Sequence, residues 1–220
     1  MAKEAKKTEI SYSFEQSLVP DGETVFCGAD EAGRGPLAGR VYAAACILPK
    51  DAESIPELAF LNDSKKLTEK KRDELAEVIK RVAVAYCIEY AEVEEIERDN
   101  ILNAALHSMD RAIKGLKVKA GFALVDGNKT TGIETPCVSV VSGDARCPSI
   151  AAASILAKTA RDAYCKETLD VLYPEYGFAV HKGYGTKAHY KAVDEHGLCP
   201  EHRPSFFKKY FEKQRENDGK

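Results

Sequence analysis

Two adjacent acids followed by a glycine-rich turn form the stretch of the sequence with the clearest chemical potential. An apolar run from Val25 ends in Asp30 and Glu31, and the turn Gly33-Arg34-Gly35 follows. Carboxylates at the end of an apolar strand are costly to bury, and a bound cation is the usual compensation. A divalent cation beside accessible backbone suits chemistry on a phosphodiester. The simpler interpretation is a strand that runs into a solvated turn.

Two further acids repeat this pattern. Asp126 follows the apolar run 122–125 and precedes a glycine, and Asp144 follows the apolar run 137–141 and Gly143. Each of them alone is explained as easily by a turn-capping role. If the strands are neighbours, however, the four carboxylates converge at one edge of a sheet and cannot all stay ionised unaided. Because Mg²⁺ and Mn²⁺ prefer oxygen ligands, the sequence predicts a metal site at Asp30, Glu31, Asp126 and Asp144.

Two loops have the composition of nucleic-acid contacts. Gly33-Arg34-Gly35 offers backbone groups without side-chain obstruction, which suits contact with a sugar–phosphate backbone and its 2′-hydroxyl. Tyr184 lies between two glycines and close to Lys182, and an aromatic ring in such a loop can stack on a base or a sugar. Taken alone, the first loop is more typical of a tight turn, and the tyrosine is more typical of a ring that packs its own loop.

Composition restricts the classes of protein that remain. With 32 Lys and Arg against 35 Asp and Glu, the net charge of −3 excludes a uniformly basic coat but permits a local basic track. The candidates for that track are Lys65-Lys66, Lys182, Lys187 and Lys208-Lys209. No apolar run reaches membrane-spanning length, and residues 1–7 lack the apolar core of a secretion signal, so a cytoplasmic protein is expected.

Cysteine and histidine spacing argues against a disulfide framework or a zinc site. The seven cysteines contain no Cys-x-x-Cys pair and several lie in apolar runs, as expected for free thiols in a reducing compartment. The histidines have no zinc-type spacing beside cysteines and are expected to be solvated or at the edge of the core.

The pattern of apolar residues predicts the elements that must position these groups. Strands are predicted at 25–30, 41–48, 83–90, 122–127 and 137–144, and helices at 68–82, 100–115, 148–158, 186–195 and 204–213. This order favours an α/β fold in which helices flank a mixed five-stranded sheet and the C-terminal region is helical. We expect a flexible lead-in over 1–20, one catalytic domain over 21–213 and a frayed tail over 214–220.

Six motifs along the chain, in this order, together carry a resemblance to a known family. They are DEAGRG at 30–35 with LAG at 37–39, NDSKKL at 62–67, VDG at 125–127, GD at 143–144, SIAAASILAK at 149–158 and HKGYGT at 181–186. The sequence resembles the type 2 ribonucleases H, in particular the bacterial-type ribonuclease HII family, over roughly residues 25–207.

The resemblance implies a ribonuclease H fold and an endoribonuclease that hydrolyses the RNA strand of RNA–DNA hybrids. It also implies nicking on the 5′ side of single ribonucleotides in duplex DNA, with 3′-hydroxyl and 5′-phosphate products, during ribonucleotide and RNA primer removal. Two divalent ions, Mn²⁺ or Mg²⁺, would act at the four acids. A monomer is expected, and no sliding-clamp peptide is evident.

The resemblance also assigns roles to individual substrate contacts. Gly33, Arg34 and Gly35 would recognise the 2′-hydroxyl through their backbone, and Tyr184 would stack on the sugar of the next deoxynucleotide. Lys65 would contact a phosphate.

Two other classes of function stay open. A resolvase-like or transposase-like nuclease also uses acids at strand ends, and cleavage of all-DNA substrates would favour it. A non-catalytic nucleic-acid-binding module would bind without metal and would not cleave.

Overall fold

A mixed five-stranded sheet forms the centre of the computed structural model, which describes residues 10–20 and 24–218, with the backbone alone at 62–66 and 217–218. The strands are β1 (Phe26–Ala32), β2 (Val41–Ile47), β3 (Ala85–Ala91), β4 (Phe122–Asp126) and β5 (Cys137–Val140). Their order in the sheet is β3-β2-β1-β4-β5. The β1–β2 and β2–β3 pairs are antiparallel, whereas β1–β4 and β4–β5 are parallel, so the predicted mixed sheet is confirmed.

The pairing of β1 explains where its acids stand. Its parallel pairing with β4 ends at Ala29, opposite Val125, but its antiparallel pairing with β2 continues as far as Ala32. Asp30 and Glu31 therefore lie within β1 and not at its end, in contrast to the strand boundary predicted from the sequence. They stand where β1 and β4 part, with a neighbouring strand on one side.

Helices cover both faces of the sheet, and further helices make up the C-terminal region. In the described residues they are α1 (Tyr12–Ser17), α2 (Glu69–Val82), α3 (Val93–Asp99), α4 (Ile101–Lys114), α5 (Pro148–Tyr164), α6 (Asp170–Leu172), α7 (Phe178–His181), α8 (Lys187–His196) and α9 (Pro204–Asp218). Shorter 3₁₀ segments are Ala52–Ser54, Pro56–Lys66, Gly143–Ala145 and Pro174–Tyr176, and a π-helical turn at Cys165–Leu169 extends α5.

Two apolar layers hold α4 and α5 against opposite faces of the sheet. On the α4 face, Met109 and Ile113 pack in one cluster with Ala43. On the α5 face, Ala44 lies in a cluster with the small residues of α5 such as Ala152. Because side chains alternate between the two faces of a strand, the uninterrupted apolar sequence of β2 follows from burial on both sides.

Local capping interactions begin three of the helices as the sequence predicted. The Thr68 hydroxyl accepts from the amide of Lys71 at the start of α2, and the Asn100 side chain accepts from two amides at the start of α4. The Thr186 hydroxyl caps α8 in the same way. Such contacts satisfy amides that have no partner inside the helix, which is why these residue types mark helix starts.

Helices occupy the described part of each terminus, whereas residues 1–9 of the predicted lead-in and 219–220 of the predicted tail lie outside the described residues. Residues 10–20 contain α1, whose buried Glu15 accepts hydrogen bonds from the amide and hydroxyl of Ser149 at the start of α5. Burial raises the pKa of Glu15 to about 7 in spite of these two hydrogen bonds. At the other end, α9 continues to Asp218, beyond the predicted end of that helix at residue 213. The domain boundaries themselves stay a prediction.

Close contact between α5 and β1 predicts a strict requirement for glycine at position 28. A methyl group on Gly28 would overlap the backbone of Ser149 and Ile150. We expect Gly28→Ala to lower the free energy of unfolding by about 3 kcal/mol, the scale of an overpacked core, in denaturant titrations. Gly35→Ala is the stability control, because a methyl group there would meet only a ring carbon of Tyr184, at the ordinary contact distance of 3.7 Å. Equal stability of the two variants would contradict the packing account.

Candidate active site

Asp30 is a buried carboxyl in an electrostatically unfavourable position. Its side chain is 5% exposed, and burial raises its pKa well above the usual value, with Glu31 and Asp126 raising it further. The opposing contributions are hydrogen bonds from Ser154 on α5 and from the amide of Glu31, at 2.7 Å. Asp30 therefore lies on the α5 face, and strand alternation places Glu31 on the α4 face. Negative charge at this point lacks full compensation from the protein.

Asp126 ends β4 and is held by the segment that follows β5. Its Oδ1 atom accepts hydrogen bonds from the amides of Gly143, at 2.6 Å, and Asp144, at 3.4 Å. Asp144 itself lies in the 3₁₀ turn Gly143–Ala145, so it does not end β5, which stops at Val140. The prediction that Asp144 directly ends a strand was wrong in this respect, because Ser142 adopts a left-handed conformation that turns the chain first.

Two cavities connect the acids with the predicted substrate-contact residues. The larger, of about 380 Å³, is lined by Glu31, Ala32, Gly33, Arg72, Asp144, Ser154, Ile155, Lys158 and Tyr184. A smaller one, of about 20 Å³, has Glu31, Arg34 and Asp126 in its lining. Because Glu31 borders both, the structure brings Asp126 and Asp144 to either side of it.

The acids suit a divalent cation by their chemistry, but they do not form a closed cage. In the part of the chain that the structure describes, no group of three or more His, Cys, Asp or Glu side chains is close enough to hold a metal ion. Mg²⁺ is commonly bound by one or two carboxylates together with water and substrate phosphates. The carboxylate oxygens around Asp30, whose own pKa is raised, suit such a partly coordinated ion. The remaining ligands of the ion would come from outside the protein.

The Gly33–Gly35 turn and Tyr184 lie against each other, as required if both contact one substrate. Gly33 has a φ of 104°, and a Cβ there would overlap the side chain of Arg161. The amide of Leu37, just beyond the turn, donates to the carbonyl of Gly183 at 2.8 Å. Tyr184 itself is 44% exposed, so its ring is open to a ligand.

The positive charge near the acids comes from other residues than those of the predicted basic track. Lys182 turns inward: its ammonium group donates to the carbonyl of Ala179 and lies 3.7 Å from the Glu69 carboxylate. Lys187, Lys208 and Lys209 are exposed, whereas the side chains of Lys65 and Lys66 lie outside the described residues. Positive charge near the acids comes instead from Arg34, which pairs with Glu31 at 3.1 Å, and from Lys158.

Sequence reasoning missed several residues that shape this site. Ser154 contacts Asp30, Arg72 pairs with Asp162 at 3.1 Å, and a buried Arg203 contacts the backbone of the glycine turn. Ser154 lies one helical turn before Lys158 on α5, a spacing that could have indicated a shared face. Arg203 carries no such signal, because its partners are more than 160 positions away in the chain.

Comparisons with known proteins match most of this chain to one family. The family model described as Ribonuclease HII matches residues 27–214. Ribonuclease HII of Dechloromonas aromatica is 54% identical over 189 residues, covering 86% of this chain and 93% of the relative. Ribonuclease HII of Desulfitobacterium hafniense is 49% identical over 203 residues, covering 92% and 76%.

Solved structures share the fold at lower sequence identity. Ribonuclease H2 from Pyrococcus horikoshii superposes with a TM-score of 0.67 at 24% identity, covering 82% of this chain and 92% of that one. This likeness supports the predicted ribonuclease H fold. Among the described residues, no helix is long and apolar enough to span a membrane.

The raised pKa of Asp30 predicts that this carboxyl destabilises the metal-free protein. A raised pKa means that Asp30 keeps its proton to higher pH in the folded state than in the unfolded state. The free energy of unfolding therefore falls as the pH rises through the pKa that Asp30 has in the folded state. In EDTA, Asp30→Asn should be more stable than wild type, by about 1 kcal/mol or more near pH 8 and by less near pH 4. Denaturant titrations across this range measure the difference.

Asp51→Asn is the matched control, since Asp51 is exposed and lines neither of the two cavities at the acids. It should leave stability within about 0.5 kcal/mol of wild type at every pH. An advantage of Asp30→Asn that shrinks with rising pH would contradict the assignment of a buried, repelled carboxyl.

Proposed function

This chain belongs to the ribonuclease HII family, and we propose that Asp30, Glu31, Asp126 and Asp144 are its catalytic and metal-binding acids. It is an endoribonuclease, a phosphodiester hydrolase that cleaves the RNA strand of RNA–DNA hybrids. One observation carries the assignment of the site. Glu31 and Asp144 line the same cavity as Gly33 and Tyr184, so chemistry and sugar recognition would occur in one place.

The finer proposal is cleavage on the 5′ side of a single ribonucleotide embedded in duplex DNA, leaving a 3′-hydroxyl and a 5′-phosphate. The 2′-hydroxyl distinguishes RNA from DNA, and recognition through backbone groups requires a turn without side-chain obstruction. Gly33, Arg34 and Gly35 provide that turn, and Tyr184 would stack on the sugar of the next deoxynucleotide. Because Tyr184 lies close to Gly35, the turn and the ring could together recognise the RNA–DNA junction.

The chain's own residues would prepare the reaction by holding charge and orientation. Asp126 is oriented by two backbone amides, and Ser154 orients Asp30. Arg34, paired with Glu31 in the free protein, would be available to the phosphate when substrate approaches. Two divalent ions, Mn²⁺ or Mg²⁺, would supply water activation and stabilisation of the leaving 3′-oxygen when bound. A phosphate contact by Lys65 completes the proposed set.

The cellular setting follows from the substrate. We propose that the protein acts in the cytoplasm, in DNA repair and replication, on RNA–DNA hybrids and on DNA that contains ribonucleotides. Free cysteines suit a reducing compartment. A monomer that does not depend on a sliding-clamp peptide is the state we propose for catalysis.

Cleavage of a labelled DNA duplex with one embedded ribonucleotide tests the proposed function. We expect nicking on the 5′ side of the ribonucleotide with Mg²⁺ or Mn²⁺ and none in EDTA, with an all-DNA duplex left intact. Equal cutting of both duplexes would favour the resolvase-like alternative. Binding without cleavage, unaffected by EDTA, would favour the non-catalytic module.

Replacement of Asp126 tests the acid that is most firmly oriented. Asp126→Asn keeps an oxygen that can accept from Gly143 but removes the negative charge. We expect kcat to fall by about 1000-fold, the scale of losing one group that stabilises transition-state charge, while the melting temperature stays near wild type. Asp99→Asn, at a half-buried acid paired with Arg98, is the control and should retain full activity. Wild-type rates in Asp126→Asn would exclude its catalytic role.

A further inference from the structure

A completely buried guanidinium donates hydrogen bonds to the glycine-rich turn from the interior of the protein. Arg203 precedes α9, is 0% exposed, and donates five hydrogen bonds, all to backbone carbonyls in the segment 33–39. The accepting residues and their distances are Gly33 (2.8 Å), Arg34 (3.2 Å), Pro36 (2.8 Å) and Gly39 (2.9 and 2.7 Å). One side chain thus connects both ends and the middle of this turn.

The charge on Arg203 is compensated by the turn itself. Burial, together with the neighbouring Arg161, lowers the pKa of Arg203 to about 9, which still leaves it charged near pH 7. Among the described residues, no carboxylate lies within ion-pair distance of it. Taking a guanidinium out of water is unfavourable unless its donors are satisfied, so a turn that withdrew its carbonyls would leave a buried, unpaired charge. The conformation of the turn and the burial of Arg203 therefore depend on each other.

The residues beside Arg203 extend this connection to Tyr184. The amide of Cys199 donates to Nδ1 of His202, whose Nε2 lies 3.0 Å from Nε2 of His189. Nδ1 of His189 lies 3.0 Å from the carbonyl of Tyr184. Because Nδ1 of His202 accepts, its Nε2–H donates to His189, which in turn donates to Tyr184; this sequence requires both rings to be neutral. Burial lowers the pKa of each ring to about 4, which is consistent with neutral rings at pH 7.

Backbone hydrogen bonds complete the junction between the two loops. The amide of Gly39 donates to the carbonyl of Glu201 at 2.7 Å, and the amide of Arg203 donates to the carbonyl of Leu37 at 2.8 Å. The segment 199–203 is thus attached to the glycine turn on one side and to the Tyr184 loop on the other.

We propose that Arg203 is a positioning residue that fixes the 33–39 turn relative to Tyr184, so that the turn can recognise the sugar of a ribonucleotide. This inference rests on the proposed function, because it assigns a cause to the geometry of the proposed 2′-hydroxyl reader. Arg203 itself does not touch substrate, since it lies beneath the turn and is fully buried.

Arg203→Lys tests the proposal while keeping the positive charge. A lysine ammonium has three donors at one point and cannot reach carbonyls on opposite sides of the turn as the guanidinium fork does. On the duplex with one embedded ribonucleotide, we expect kcat to fall by about 100-fold, the scale of a small misplacement of reacting groups. KM should change by less than about threefold, because most phosphate contacts remain. Arg81→Lys, an exposed surface pair with Glu57, should match wild type in both constants.

Amide hydrogen exchange gives a readout that does not depend on activity. In Arg203→Lys, the amides of Leu37 and Gly39 should exchange at least about tenfold faster, with α4 unchanged. If Arg203→Lys fails to fold, hydrogen exchange in the wild-type protein still tests the proposal. The amides of Leu37 and Gly39 must then exchange as slowly as those of β1. Unprotected amides in wild type, or wild-type kcat in folded Arg203→Lys, would overturn the proposal. Absence of ribonucleotide-dependent cleavage by wild type would instead overturn the proposed function and leave the exchange result standing.

Discussion

The close packing of α5 on β1 is the constraint on which the site depends. Small side chains along α5 and the glycine at position 28 let the helix backbone approach the strand. At that separation Ser154 reaches Asp30, and one turn later Lys158 reaches the same cavity as Tyr184. A larger residue at the contact would move the helix away from the strand and would separate the acids from their neighbours. The positions of the proposed catalytic acids are therefore set by packing between α5 and the sheet.

Two buried charges of opposite sign flank the glycine turn, and the protein treats them differently. Burial raises the pKa of Asp30, the neighbouring acids raise it further, and this incomplete compensation favours the arrival of a cation. Arg203 lies among carbonyls that satisfy its donors, so it is stable without a counter-ion. An incompletely compensated charge is suited to ligand binding, whereas a satisfied one is suited to holding a backbone in place.

Features encoded by neighbouring residues were predictable from the sequence, and features that depend on distant contacts were not. Thr68, Asn100 and Thr186 begin helices because their side chains bond amides two or three positions ahead. The strands could likewise be placed, since β2 is apolar throughout. The displaced position of Asp144 depends on a left-handed serine, and the inward turn of Lys182 depends on α2, so neither left a local pattern.

The proposed recognition of a sugar through backbone groups would require such distant support. A side chain that binds a ligand can adjust its own torsions. Backbone groups that bind a ligand are positioned only by the conformation of the whole turn. Glycines that permit close approach also allow the turn many other conformations. Five hydrogen bonds from one rigid guanidinium to four backbone carbonyls remove that freedom without adding any group at the surface that substrate must pass. Under this proposal, the selectivity of a turn near the start of the chain depends on an arginine near its end.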